Sequence, residues 1–196
     1  MASTNNFWTN AGVRDPKRNF RFRVSFAGSE NPPGEPVMGG GIMWFAKTAT
    51  KPEVSFTESS HSYLNHTYYW PARTEWNEVS ITFVDPVDPD VAGSLAQLVE
   101  RAGYRIPAGV NGPNDFATVS KSDSVAALGQ VIIEQIDEEG TTLERWTLNN
   151  GWVKSLTFGE LDYGNEDLTE VTMTMRYDWA SFETPNTPGI APLFTV

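Results

Sequence analysis

Cysteine is absent from this chain, and histidine occurs only twice. The first absence excludes disulfides and thiolate metal sites, and it leaves nothing that ties the protein to an oxidising compartment. His61 and His66 lie in one polar and aromatic stretch. Zinc typically takes about four ligands, so these two read as ordinary loop residues, and no metal or other cofactor is expected. No apolar run approaches the roughly 18 residues needed to cross a bilayer. The leading residues also lack the apolar core of a secretory signal. The expectation is a soluble protein made in a cytoplasm. Cations are scarce too: 14 Lys and Arg stand against 25 Asp and Glu, a net charge of −11. Binding driven by phosphate neutralisation needs the reverse balance.

Catalytic signatures are equally thin. Gly39-Gly40-Gly41 is followed by no Lys-Ser/Thr pair and opens no helix, so it is flexible chain and not a phosphate loop. No Gly-x-Ser-x-Gly elbow occurs. Asp85, Asp88 and Asp90 surround two prolines just ahead of a helical pattern, where capping and the helix dipole account for them. Asp137-Glu138-Glu139-Gly140 reads as a polar hairpin tip. Glycoside hydrolysis needs two carboxylates flanking a cleft, and nothing singles out such a pair. The chain is expected not to be an enzyme.

What is present points to β structure. Sixteen Gly and thirteen Pro among 196 residues imply many turns in one domain. Residues 1–19 read as an arm carrying Phe7 and Trp8, and residues 20–182 as the β domain. Phe20, Phe22, Val24 and Phe26 alternate with polar residues, a strand with one buried face. A Gly/Pro loop over 27–41 separates it from strands at Ile42–Thr48 and Glu53–Glu58. Residues 59–70 form a projecting hairpin rich in Tyr and Trp, and Val79, Ile81 and Phe83 mark a half-buried strand. One helix is predicted over about 90–102, capped by Asp88 or Asp90, with Val91, Leu95, Leu98, Val99 and Ala102 on one face and Gly103 ending it. Residues 105–127 read as a long surface excursion. Three β segments follow: Gln130–Asp137, Arg145–Phe158 with a bend at Asn149-Asn150-Gly151, and Leu168–Trp179. In the last, Val171, Met173, Met175, Tyr177 and Trp179 share the apolar face, opposite Glu170, Thr172, Thr174, Arg176 and Asp178. Residues 183–196 form a proline-rich tail. Trp152 and Trp179 are expected in the core.

Charge is unevenly placed. Residues 1–23 hold Arg14, Lys17, Arg18, Arg21 and Arg23 against Asp15 alone, a balance of +4, whereas residues 130–183 hold twelve carboxylates against three cations. Such ends either attract each other between copies or form two solvated faces.

The order of these segments resembles a known family. Asn19-Phe20-Arg21-Phe22-Arg23-Val24 leads to Ala46-Lys47 and the turn at Pro52. After the hairpin comes Pro71-Ala72-Arg73-Thr74-Glu75-Trp76-Asn77-Glu78-Val79, then the helix. The chain closes on Trp146–Asn150, Gly151-Trp152-Val153, Leu161-Asp162-Tyr163 and Leu168–Trp179. Over about Asn19–Ala180 it looks like the tail tube proteins of contractile-tailed phages, which are related to the tubes of type VI secretion and other contractile injection systems. The Gly/Pro loop, the excursion and the proline-rich tail depart from compact members, which leaves open a tube initiator or terminator ring.

The resemblance implies a mainly β, antiparallel sandwich or barrel-like domain with one flanking helix. It implies a ring-shaped homohexamer with a continuous inner β-barrel, rings stacked into a tube, and no membrane insertion of this subunit. The implied partners are a tail sheath protein, a baseplate hub or tube initiator and a tape measure protein. DNA or effectors would pass through the lumen without specific binding. The place is a virion tail, assembled in a host cytoplasm. Glu170, Thr172, Thr174, Arg176 and Asp178 are then expected to face an acidic lumen, and Phe7, Trp8, Arg14, Arg18, Tyr63, Tyr68, Tyr69 and Trp70 to form contacts between subunits. The rival readings are a carbohydrate-binding β-sandwich, on the strength of the aromatics, and a hydrolase using the acidic pairs.

Overall fold

A computed structural model describes residues 16–27, 45–88, 90–105, 118–186 and 190–195. Its strands are β1 (Phe22–Ala27), β2 (Ala46–Ala49), β3 (Val54–Tyr63), β4 (His66–Trp76), β5 (Val79–Val84), β6 (Gln130–Ile136), β7 (Thr142–Asn149), β8 (Trp152–Thr157), β9 (Glu170–Arg176) and β10 (Trp179–Glu183). They form a first sheet in the order β1-β6-β7-β10, a second in the order β2-β5-β9-β8, and a two-stranded ribbon, β3-β4. Every pairing is antiparallel.

The two sheets share one core, as period-2 alternation requires. Val24, Phe26, Val131, Ile133, Leu148 and Ala180 point inward from the first sheet. Val79, Ile81, Phe83, Val171, Met173 and Met175 do so from the second. Phe26 and Phe83 meet across the gap with ring centroids 6.4 Å apart. The helix α1 (Val91–Arg101) adds Val91, Leu95 and Leu98 to this core. Asp90 caps it by accepting from the Gly93 N–H at 2.7 Å, and Asp85 accepts from Ala92 at 3.1 Å, so two of the three early aspartates serve the helix start.

Five expectations need correction. The domain has two helices, not one: α2 (Lys121–Leu128) lies inside the stretch read as an excursion. The Ser120 hydroxyl accepts from the Asp123 N–H and bonds the Asp123 carboxylate. That Ser-x-x-Asp box is the signal that marks this helix; it is easily missed because α2 buries only Ser124 and Leu128. The segment Arg145–Phe158 is not one bent strand but two, in different sheets. Asn150, at a positive φ of 54°, turns the chain from β7 into β8. Leu168–Trp179 likewise splits, with Tyr177-Asp178 carrying the chain from β9 back to β10 in the first sheet. Phe20, expected on the buried face, is 76% exposed because pairing with β6 begins only at Phe22. Trp152 and Trp179 are half-buried and not core residues.

Candidate assembly surfaces

Three surfaces carry polar or aromatic groups in excess of what the fold needs. The first is the ribbon. Ten-residue β3 and eleven-residue β4 pair along their length, with Tyr63 opposite His66 across a turn of two residues, Leu64 and Asn65. A two-stranded ribbon is marginal in water without something to pack on. Here Tyr63, Tyr68, Tyr69 and Trp70 all remain about half exposed or more. Tyr68 and Trp70 therefore do not fold back into the subunit's own core. Instead His66, Tyr68 and Trp70, two residues apart, line one face as a row. His66 meets Tyr68 edge-on at 4.6 Å, and Tyr68 lies 6.2 Å from Trp70. At the tip, Leu64 holds a φ of 52°, where glycine would be unstrained, and its side chain is 87% exposed. A strained, exposed apolar residue at a tip is the pattern of a contact point.

The second surface is the outer face of the second sheet, built from the polar alternates of β5 and β9. Thr82 shares a hydrogen bond with Thr172 at 3.2 Å, and Ser80 with Thr174 at 3.1 Å. Register extends these hydroxyl rows to Thr157 and Ser155 on β8 and to Thr48 on β2. Charges flank the rows in pairs. Glu170 binds Lys47, and Glu78 accepts from Lys154 at 2.5 Å and from Arg176 at 3.3 Å. The bond and charge of Lys154 hold the Glu78 carboxyl below its ordinary value. Glu170, Thr172, Thr174 and Arg176 thus share one face, as the alternation requires. Asp178 does not join them. It lies past the end of β9, where it accepts from Lys121 of α2 at 2.7 Å and from Asn150 at 2.9 Å. The face carries paired charge and is not acidic: Lys47 pairs with Glu170, while Lys154 and Arg176 share Glu78.

The third is the outer side of the first sheet and its lower rim. Arg23, Glu134, Arg145 and Glu183 are register partners across all four strands. Arg23 donates to Glu134 at 2.7 Å, Arg145 donates to Glu134 at 2.9 Å, and Arg145 lies 3.6 Å from Glu183. Beside this ladder, Glu144 binds both Lys17 and Lys51, while Gln135 accepts from Lys51 and donates to the Arg18 carbonyl at 3.2 Å. Lys17 precedes β1 and Lys51 precedes the ribbon, so Glu144 ties the two roots together. Sequence reasoning missed both clusters. Polar residues inside β6 and β7 were the available sign, but only the register shows which cations they meet.

These contacts also decide how the charged ends are used. Lys17, Arg21 and Arg23 pair with Glu144, Glu138 and Glu134 of their own chain. Arg18 is exposed, with no ion pair among the described residues. Phe7, Trp8 and Arg14 lie outside the described residues.

Burial raises the Glu134 carboxyl, but hydrogen bonds from Arg23 and Arg145 outweigh it, leaving the group below its ordinary value of 4.5. Glu144 follows the same pattern, with Lys17 and Lys51 outweighing burial. A depressed carboxylate contributes stability above its unfolded value and loses it as pH falls through the folded value. Thermal stability is therefore expected to be flat from neutral pH to about 5 and to fall below about 4.5. Glu144→Gln should cost about 1.5–3 kcal/mol at neutral pH, the range for hydrogen bonds to charged groups, and flatten the acid limb. Melting curves from pH 7 to 3 check both points; an unchanged acid limb in the variant would contradict the assignment.

Edges complete the geometry. In the first sheet, β10 is already paired on its outer side: Phe182 and Leu193 exchange backbone hydrogen bonds of 3.0 and 2.8 Å, and Phe194 packs edge-on against Trp76 at 5.6 Å. This contact is a single bridge. In the second sheet, β2 and β8 have no outer partner among the described residues.

Several solved structures share this arrangement. A chain in the cryo-EM structure of the anti-feeding prophage (AFP) tube terminating cap superposes with a TM-score of 0.60 at 17% identity, covering 94% of this chain and 99% of that one. A chain of the AFP baseplate gives 0.59 at 13% identity, covering 89% and 99%. A chain of the PVC sheath–tube complex in its extended state, from an extracellular contractile injection system, gives 0.57 at 14% identity, covering 94% and 99%. The chain shares its fold with these chains. No family model and no curated protein matches the chain. Among the described residues, no helix is long and apolar enough to cross a membrane.

Proposed function

We propose that this chain is a structural subunit of the tube of a contractile tail or injection machine, and that copies join through β2 and β8 into a closed ring. One observation carries the reading. The second sheet has an even number of strictly antiparallel strands, so its two bare edges run in opposite directions. Placing β8 of one copy beside β2 of the next, with all copies in the same orientation, continues the antiparallel alternation indefinitely. Such a contact is head-to-tail, and it closes into a ring if the rotation permits. It also consumes two edges that would be aggregation templates in a monomer. The first sheet is less suited to this role because Leu193 already pairs with Phe182 on the outer side of β10.

Six copies is the number the family resemblance implies. The hydroxyl face of β5 and β9, with Glu170, Thr172, Thr174 and Arg176, then lines the channel. Its cations are each held by a carboxylate, so a passing polyanion or effector meets no free cationic row to grip. The ribbon, with Tyr63, Tyr68, Tyr69 and Trp70, reaches the adjacent ring. Phe7, Trp8 and Arg14 of the arm serve the same boundary. A sheath protein outside, a baseplate hub or initiator at one end and a tape measure protein within complete the assembly, in a phage tail or a related machine. The likeness to a chain of the AFP cap supports equally a ring that terminates such a tube. Native mass measurement of the purified protein tests the reading. Six copies per particle is the expected result, and a strict monomer at high concentration in both low and high salt would overturn it.

A further inference from the structure

Between α1 and β8 lies an open groove of about 810 Å³. Its walls are mainly apolar, with Val99 and Tyr104 on the helix side and Val153, Leu156 and Phe158 on the strand side; Arg105 and Lys154 also line it, Lys154 being held by Glu78. Tyr104 and Phe158 remain about half exposed, and Glu100 stands at the rim with no ion pair among the described residues. At the opposite end of the second sheet sits the turn that enters β1. It presents Phe20, 76% exposed, beside Arg18, which also has no ion pair among the described residues. Asn19 and Phe22 of this turn lie against Lys47, Thr48, Ala49 and Lys51.

The two features share the same rungs. Ala49 pairs with Ile81, Ile81 with Met173, and Met173 with Leu156, so one row runs from the β2 edge to the groove wall. Both features also lie on the core side of the sheet. We propose that the groove seats the Asn19–Phe22 turn of the neighbouring copy, with Phe20 inserted between Val99 and Leu156 and Arg18 facing Glu100. This rests on the β8-to-β2 joining proposed above. That joining brings the neighbour's β2, and the turn beside it, to the mouth of the groove. An enclosed aromatic contributes on the order of 150–250 Å² of contact, and the Arg18–Glu100 pair supplies charge of opposite sign at the rim.

Because the chain has no cysteine, introduced thiols report cleanly. The test uses the full chain carrying Asn19→Cys with Ala96→Cys, a position exposed on α1 beside the groove, treated with a short bismaleimide. Denaturing gels should show a ladder of covalent multimers ending at the ring size, and neither single variant should give more than dimers. Separately, Phe20→Glu should raise the concentration needed for ring formation at least tenfold with unchanged circular dichroism, while Phe20→Leu restores assembly. Rings that form without the ladder, or a Phe20→Glu protein assembling at the wild-type concentration, would overturn the groove assignment and leave the edge joining standing. A wild-type protein that forms no rings would remove both.

Discussion

Replacing Ser60–Tyr69 with a two-residue Asn-Gly turn is expected to abolish the stacking of rings into tubes while leaving the domain folded. The replaced residues contribute nothing to the buried core, and Ser59 and Trp70 are already paired, so a short turn can close on them. Circular dichroism and melting temperature should therefore change little. The lost surface is the aromatic row of His66 and Tyr68 with Tyr63, Tyr69 and Leu64 at the end of the ribbon. Aromatic anchors of this kind dominate the energetics of protein interfaces. A second variant separates contact from strain. Leu64→Gly removes a positive-φ strain of about 1 kcal/mol but also the exposed side chain, so it should shorten tubes without harming stability. Electron microscopy of the variants reads the outcome; tubes of ordinary length from the truncated ribbon would show that stacking lies elsewhere.

Phe83→Ala should have the largest effect on stability. Phe83 is fully buried at the centre of the second sheet, flanked by β2 and β9 and facing Phe26 of the first sheet. Losing a ring there forfeits its burial and leaves a cavity between two sheets that cannot easily collapse, a cost of about 3–5 kcal/mol. At roughly 2–4 °C per kcal/mol for a domain of this size, the melting temperature should fall by roughly 10 °C. Thr82→Ala, one residue away on the polar face, should cost less than about 1 kcal/mol. Thermal melts of the pair decide the matter, and equal effects would mean that the faces of β5 are misassigned.

Much of this architecture was legible in the chain because strand alternation survives in it nearly intact. Val79, Ile81 and Phe83 with Val171, Met173 and Met175 declare both central strands of the second sheet and the direction of their apolar faces. The helix over Val91–Arg101 was equally plain, with an aspartate before it and Gly103 after it. The corners were not legible. Asn150 and Tyr177-Asp178 transfer the chain between sheets within one or two residues, and period-2 patterning runs through such corners without a break. The ion pairs were hidden for a related reason. Glu134 and Arg145 are eleven residues apart, but Arg23 lies more than a hundred residues away in sequence, and only sheet order brings it to them. The basic leading residues read either as an attraction between copies or as a solvated face, and three of them instead pair within the subunit.

The central claim is that the second sheet, and not the first, propagates from copy to copy. A cryo-EM map of the particles formed by the purified protein tests it most directly. The account predicts a six-fold ring whose inner wall repeats β2-β5-β9-β8, with β8 hydrogen-bonded to the next copy's β2 and Thr82, Thr172 and Thr174 facing the channel. A ring whose channel is lined by Arg23, Glu134 and Arg145 of the first sheet, or one in which β2 and β8 remain unpaired, would contradict it.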